Sequence, residues 1–260
     1  MKVVLFCGGL GMRLYPTTEN VPKPIVPIGE KPMIWHLMKY YAFFGHKDFI
    51  LCLGYKGEQI KKYFLNYDEC LADDFVLSHG GKKRQLFKSD IEDWRITFIG
   101  TGLNSNIGQR LKAVQKSLEN EKSFLANYTD AVTDLYLPNL INFFIKHGKV
   151  GCFLAVKPYF SFHTVSMHAD HSVKCIRPVG DSSIWINGGF FVFKNEIFDL
   201  INEGEDLIAE PFQRLIDKNE LVAYKYDGFW ANMDTYKDKQ QLDELSAFDK
   251  APWQVWKTQK

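Results

Sequence analysis

The stretch Val3-Val4-Leu5-Phe6-Cys7-Gly8-Gly9-Leu10-Gly11-Met12-Arg13 decides how this chain is read. A short apolar run, of strand length, breaks into a glycine-rich turn that ends on an arginine. A buried strand feeding such a turn brings backbone N–H groups close to a bound anion, because Gly8, Gly9 and Gly11 carry no side chain to block approach. A little further on, Val21-Pro22-Lys23-Pro24-Ile25-Val26 sets a single lysine between two prolines. Arg13 and Lys23 then place two positive charges beside the turn. The combination suits the triphosphate of a nucleotide.

Other glycine motifs are excluded by inspection. A dinucleotide fingerprint starting at Gly9 needs glycine where Leu14 stands, and a P-loop needs Gly-Lys-Ser/Thr where Met12-Arg13 stands. The 260 residues are 46% hydrophobic and 24% charged, with net charge +1. That composition is ordinary for a globular protein, and it lacks the basic surface that general nucleic-acid or anionic-membrane binding needs. The apolar start is too short for a signal peptide, so a cytoplasmic location is expected. Cys7, Cys52, Cys70, Cys152 and Cys175 form no C-x-x-C pair and read as reduced thiols. Cys7 has no His neighbour in sequence and is disfavoured as a nucleophile.

Apolar runs of strand length at 2–7, 48–53, 95–99, 123–127, 151–156, 172–177, 189–193 and 221–225 alternate with helical patterns at 33–44, 57–67, 107–117, 137–147, 195–201 and 210–218. This predicts an α/β fold: a Rossmann-like, mixed, mostly parallel sheet flanked by helices, with a smaller antiparallel β portion in the second half. The expected organisation is one domain over 1–260, with a nucleotide-binding core in 1–150 and an acceptor-binding and C-terminal oligomerisation part in 151–260. Ligands of such sheets sit beyond the carboxyl ends of the strands, where the glycine turn lies. Trp253 and Trp256, in a polar tail, are expected to cover a neighbouring surface or a subunit.

Phosphate chemistry at neutral pH calls for a divalent cation and therefore for carboxylates at strand ends. Asp130 follows the apolar run 123–128 and is the first candidate; Asp134 is its nearest rival, and a turn or capping role is the alternative. Asp234 follows Gly228-Phe229-Trp230-Ala231-Asn232-Met233 and precedes a polar helix, so an N-cap reading stands beside the metal reading. Asn187-Gly188-Gly189 suits either sugar hydroxyls and phosphate or a plain hairpin turn. The seven histidines show no metal-ligand spacing.

Taken in order, the glycine turn with Arg13, Pro22-Lys23-Pro24, Gly29-x-Lys31-Pro32, Asp130, Asn187-Gly188-Gly189, Glu210-Pro211 and Asp234 resemble the sugar-phosphate nucleotidyltransferases over essentially the whole chain. Trp35-His36, Gly54-Tyr55-Lys56-Gly57, Thr101-Gly102, Gly108-Gln109-Arg110-Leu111-Lys112, Gly228-Phe229-Trp230 and Lys250-Ala251-Pro252-Trp253 resemble the cytidylyl branch of that family. The resemblance implies a magnesium-dependent reaction of CTP with a small phosphorylated acceptor, in a homo-oligomer. Arg13 would hold the β- and γ-phosphates, and Lys23 the α-phosphate and the acceptor phosphate. Asp130 and Asp234 would bind Mg2+. Gly8, Gly9, Gly11, Met12, Thr101, Gly108 and Arg110 would surround the nucleotide, with Arg110 near base or phosphate. Tyr128, Arg177, Asn187, Gly188 and Glu210 would meet the acceptor.

The chain departs from the family pattern at Thr129-Asp130-Ala131, where Gly-Asp-Gly is usual, at Ile176-Arg177-Pro178, where Glu-Lys-Pro is usual, and at Ser161-Phe162-His163-Thr164-Val165, where Arg-Phe-Gly is expected. A positive φ at position 129 or 131 would be costly for Thr or Ala. All three changes fall where the acceptor should sit. The resemblance implies a sugar 1-phosphate acceptor, glucose 1-phosphate or a related phosphate, joined to CTP to give a CDP-sugar and pyrophosphate; the alternatives that these changes raise are a different small phosphorylated acceptor or a non-catalytic nucleotide-binding homologue.

Overall fold

The computed structural model describes residues 1–9, 21–67, 75–86, 90–158, 162–248 and 250–258. An eight-stranded sheet forms its centre. The strands are β1 (Val3–Phe6), β2 (Asp48–Leu53), β3 (Arg95–Gly100), β4 (Ser123–Tyr128), β5 (Gly151–Val156), β6 (Ile186–Asn187), β7 (Phe191–Lys194) and β8 (Leu221–Tyr226). Across the sheet they run β8, β5, then β6 and β7 together, β4, β1, β2 and β3. Neighbours are parallel throughout β4–β1–β2–β3 and again at β5–β8, whereas β7 is antiparallel to both β4 and β5. As expected, the sheet is mixed and mostly parallel, and a smaller antiparallel portion lies in the second half. Its strands β5 and β8 extend the parallel sheet, and only β6 and β7 run against it. A separate two-stranded ribbon, His163–Met167 with Val173–Pro178, stands apart.

The sheet is buried on both faces, so its strands read as continuous apolar runs. In β1, Val3 and Leu5 face one side and Val4 and Phe6 the other. The first pair joins a core formed with helices α1 (Met33–Phe43) and α4 (Leu137–His147). The second pair packs with α3 (Ile107–Ala113) and α5 (Glu210–Asp217), through Leu111, Phe212 and Leu215. Helix α2 (Gly57–Leu65) follows β2 and ends before the expected residue 67. The 107–117 pattern divides into α3 and a 3-10 turn at Gln115–Leu118, and 195–201 forms a 3-10 turn rather than an α-helix. Helix α6 (Tyr236–Ala247) leads to the tail. Among the described residues, no helix is long and apolar enough to cross a membrane.

The surface covered by the tail tryptophans belongs to this chain. Trp253 is 1% exposed and stacks on Phe229, while Trp256 meets Trp35 edge-on. The Trp253 indole N–H donates to His36 Nδ1 at 3.3 Å, and His36 Nε2 lies 3.0 Å from the Ile28 carbonyl. One ring nitrogen must accept and the other donate, which fixes a neutral ring. Burial holds the His36 pKa down at about 4, against 6.5 in the open chain. Between those values only the unfolded ring takes up a proton, so this contribution to stability is complete above pH 6.5 and shrinks as pH falls towards 4. From pH 7.5 to pH 5 the expected loss is about 2 kcal/mol. Urea unfolding at the two pH values should show it, and His36→Gln should reduce the difference by about that amount, leaving the part due to His46, whose pKa burial also lowers to about 4. An unchanged slope in His36→Gln would refute the assignment.

Candidate active site

Proline fixes the presentation of Lys23. Pro22 and Pro24 hold the chain in a 3-10 turn over Lys23–Ile25, closed by the Ile25 N–H on the Pro22 carbonyl at 2.9 Å. The Lys23 ammonium then meets two carboxylates, Asp130 Oδ2 at 2.8 Å and Asp234 Oδ1 at 2.6 Å. A short ladder sets that spacing: Ala131–Thr133 pairs antiparallel with Trp230–Asn232, and the Met233 N–H reaches the Asp130 carbonyl at 2.8 Å. Asp130 and Asp234 flank one end of this ladder, 104 positions apart in sequence but adjacent in space. Asn232 adds its amide to Asp234 Oδ2 at 2.8 Å.

The geometry resolves two ambiguities of the sequence. Thr235, not Asp234, is the N-cap of α6, in a capping box with Asp238. The Asp234 carboxylate turns instead to Lys23 and Asn232. Asp134, the rival of Asp130, accepts from the Tyr226 hydroxyl at 2.5 Å and the Phe229 N–H at 2.9 Å. It anchors the 226–229 loop. Asp130 and Asp234 offer hard oxygen donors, and an ammonium already stands between them as a cation would, so these residues fit magnesium. Among the described residues no cluster of three or more His, Cys, Asp or Glu forms. An ion here would complete its shell with phosphate and water.

Gly8 and Gly9 follow β1 at the sheet's carboxyl edge; Gly11, Met12 and Arg13 lie outside the described residues. The reason for glycine at position 8 differs from the expected one. A Cβ there would lie 2.0 Å from Arg110 Cζ, so Gly8 makes room for a guanidinium. Arg110 is 3% exposed. It donates to the Gly8 carbonyl at 3.0 Å, Thr101 Oγ1 at 2.8 Å and the Gly102 carbonyl at 3.0 Å, with longer bonds to Leu53 and Leu103. One side chain thus ties together the ends of β1, β2 and β3 from behind. The terminal nitrogens of Arg110, expected near base or phosphate, donate to protein carbonyls and Thr101. Gly108 is likewise set by packing, since a Cβ would meet the Glu205 carbonyl at 2.2 Å. Burial raises the Cys7 thiol well above its usual range, which agrees with its exclusion as a nucleophile.

Gly8→Ala is therefore expected to cost about 1–3 kcal/mol by overpacking, with weaker CTP binding, because the Arg110 fork must leave the strand ends. Thermal melting and CTP titration measure both effects. A Gly8→Ala protein that melts and binds like the parent would show that the guanidinium yields freely.

On the acceptor side, Tyr128, Asn187 and Gly188 lie together. Asn187 faces the Tyr128 hydroxyl, and the Trp230 indole N–H donates to the Gly188 carbonyl at 2.9 Å. Asn187-Gly188-Gly189 is not a hairpin turn. It is the offset between β6 and β7 on the same side of β5, with positive φ at Gly189 and Phe190 and the Phe190 N–H bonded to Asn127 Oδ1 at 2.9 Å. Arg177 and Glu210 are not brought into this group. Arg177 stands on the exposed ribbon with its guanidinium 3.4 Å from Cys175 Sγ, and Glu210 is exposed at the start of α5.

Comparison with known proteins identifies the family. The sequence pattern of the nucleotidyl transferase family matches residues 2–242. The chain belongs to that family. Over 260 residues it is 41% identical to the glucose-1-phosphate cytidylyltransferase of Salmonella typhimurium, covering 98% of this chain and all of that protein. It is 35% identical to a probable glucose-1-phosphate cytidylyltransferase of Bacillus subtilis, with 98% of this chain and 100% of the other covered. The fold is shared with a putative glucose-1-phosphate thymidylyltransferase from Bacillus anthracis, at TM-score 0.69, 16% identity and 95% coverage of each chain. It is also shared with a UDP-glucose pyrophosphorylase, at TM-score 0.69 and 15% identity over 96% and 99% of the two chains. Against the family pattern, Thr129 and Ala131 are not strained, since neither is among the residues with positive φ. Thr129 instead gives its hydroxyl to the Phe6 carbonyl at 3.0 Å, binding β4 to β1 just beside Asp130. Sequence reasoning missed Asn232 and Trp230 as site residues. Their signal was alternation: residues 230, 232 and 234 share one side of a strand that ends on a candidate ligand.

Proposed function

We propose that this protein joins CTP and a sugar 1-phosphate, glucose 1-phosphate or a related phosphate, to give a CDP-sugar and pyrophosphate. The observation that carries the reading is the Lys23 ammonium held between Asp130 and Asp234 at the carboxyl edge of the sheet, in a chain 41% identical to a cytidylyltransferase. An acceptor phosphate oxygen attacks the α-phosphorus of CTP. The bond from that phosphorus to the oxygen bridging to the β-phosphorus breaks, and pyrophosphate leaves with the electron pair. The attacking phosphate is already ionised, so no strong general base is needed and catalysis is positioning and charge neutralisation. Lys23 reaches the meeting point of the two phosphates when it exchanges a carboxylate for phosphate. Asp130 and Asp234 would hold a magnesium ion, which would supply positive charge to offset the triphosphate. Arg13 serves the β- and γ-phosphates.

The test is pyrophosphate release by the purified protein with magnesium and each of CTP, UTP, dTTP, ATP and GTP, against a panel of sugar 1-phosphates. Release with CTP is expected. CTP binding without release from any acceptor would make the protein a nucleotide-binding homologue instead.

A further inference from the structure

Asn127 is wholly buried in β4, directly after the apolar run Phe124-Leu125-Ala126. It shares a face of the strand with Leu125, in the core that α1 covers. A carboxamide taken out of water is costly unless its groups are bonded, and here only one end is. The carbonyl oxygen Oδ1 accepts from the Phe190 N–H at 2.9 Å. The amide nitrogen Nδ2 has no hydrogen-bond partner, and neither has the hydroxyl of Tyr41, which faces Asn127 from α1. Packing alone would favour an apolar residue at this position. What Asn127 supplies is an acceptor for one backbone N–H.

That N–H belongs to a strained corner. Gly189 and Phe190 have φ of 77° and 49°. This conformation suits glycine and is costly for phenylalanine. Phe190 is held in it from two sides: its ring packs against Tyr40 and Tyr41, and its N–H is fixed by Asn127. A Cβ at Gly189 would stand 2.4 Å from Asn127 Oδ1, so the same oxygen also lies against the glycine. The corner sets what precedes it. The Gly188 N–H donates to the Leu154 carbonyl at 2.8 Å, and the Leu154 N–H to the Gly189 carbonyl at 2.9 Å, which clamps the turn to β5. Asn187 Oδ1 accepts from the Gly189 N–H at 2.9 Å, and Asn187 faces the Tyr128 hydroxyl. Gly188 gives its carbonyl to the Trp230 indole. Trp230 begins the ladder strand that leads through Asn232 to Asp234, and Tyr128 stands two residues before Asp130. The corner is thus tied to both carboxylates of the candidate active site. Backbone strain held at such a place points to positioning.

We propose that Asn127 is a positioning residue for the acceptor: by holding the Phe190 N–H, its carbonyl oxygen keeps Asn187 and Gly188 where they receive the sugar phosphate. Asn127 itself touches no substrate. The inference rests on the cytidylyltransferase reading and concerns its acceptor half. None of the bonds named above involves Lys23 or the glycine turn after β1, so CTP binding is set elsewhere.

The test measures kcat and both KM values by pyrophosphate release from CTP and glucose 1-phosphate with magnesium, for the parent, Asn127→Leu, Asn127→Ala and Asn127→Asp. The leucine and alanine variants leave the Phe190 N–H without its acceptor. Each should raise KM for glucose 1-phosphate by about tenfold or more and leave KM for CTP within about twofold of the parent. Asn127→Asp keeps an acceptor oxygen in the same place and should stay within about threefold of the parent in both values. KM does not depend on the fraction of protein that is folded, so lost stability alone does not produce this split. An acceptor KM within about threefold of the parent in either the leucine or the alanine variant overturns the inference. So does a rise shared equally by CTP, or an aspartate variant as impaired as the leucine one. In each of these cases turnover by the parent leaves the cytidylyltransferase reading standing. No release by the parent overturns both.

Discussion

Asp130→Asn is expected to lower kcat by about a thousandfold or more, and Asp234→Asn by a similar factor, with little change in folding. Each substitution keeps the side-chain shape and removes one of the two negative charges around Lys23. The fold does not depend on those charges. The Asp130 carbonyl still accepts from Met233 at 2.8 Å, and the Ala131–Thr133 ladder with Trp230–Asn232 is made by backbone groups. The proposed catalytic role does depend on them, because a triphosphate and an acceptor phosphate would bring several negative charges into one place. One carboxylate holds a magnesium ion far less well than two. Pyrophosphate release measures the rate, and manganese titration followed by its paramagnetic signal measures ion binding without turnover. Both should weaken together. Asp134→Asn is the informative contrast: its partners are Tyr226 and Phe229, so it should lower stability and leave ion affinity near that of the parent. An Asp130→Asn protein turning over within tenfold of the parent would remove Asp130 from the metal site.

The sequence was most readable where a residue answers to its own strand or helix. Both-face burial makes β1, β2, β4 and β5 apolar without interruption, and their boundaries fell within a residue or so of expectation. The order of chemistry-bearing residues was readable as well, since Lys23, Asp130 and Asp234 do converge. What stayed hidden depends on partners distant in the chain. Gly8 looked like an opening for phosphate, and only the fold reveals Arg110, 102 positions away, filling the space. Asp234 could not be told from an N-cap until Thr235 and Asp238 closed their own capping box. Thr129 looked like a strained replacement for glycine, yet its backbone needs no positive φ and its hydroxyl finds β1. The parallel pairing of β5 with β8 was likewise out of reach of local pattern, since β8 joins β5 only after β6, β7 and α5 have intervened. Local pattern fixes the elements; long-range partners decide what each polar group is for.

Trp253→Ala should be the most destabilising single change in the tail, at about 3–5 kcal/mol. The indole is 1% exposed, stacks on Phe229 with ring centres 5.8 Å apart, and gives its N–H to His36 at 3.3 Å. Removing it leaves a cavity and orphans a neutral ring nitrogen at once. The loss reaches the active site because Trp253 belongs to a core cluster with Val26, Met33, Val132 and Met233. Val26 closes the turn that presents Lys23, and Met233 stands between Asn232 and Asp234. A melting temperature lower by roughly 10 °C is expected, with turnover reduced even at temperatures where the protein stays folded. Trp253→Phe keeps the stacking and loses the N–H, so it should recover more than half of the stability, and because burial is what lowers the His36 pKa, that titration should stay depressed. Leu65→Ala, at a residue 79% exposed, should stay within about 0.5 kcal/mol of the parent. A Trp253→Ala protein melting within 2 °C of the parent would mean that the tail rests on the core without supporting it, and that the link from residue 253 to Lys23 and Asp234 carries no energy.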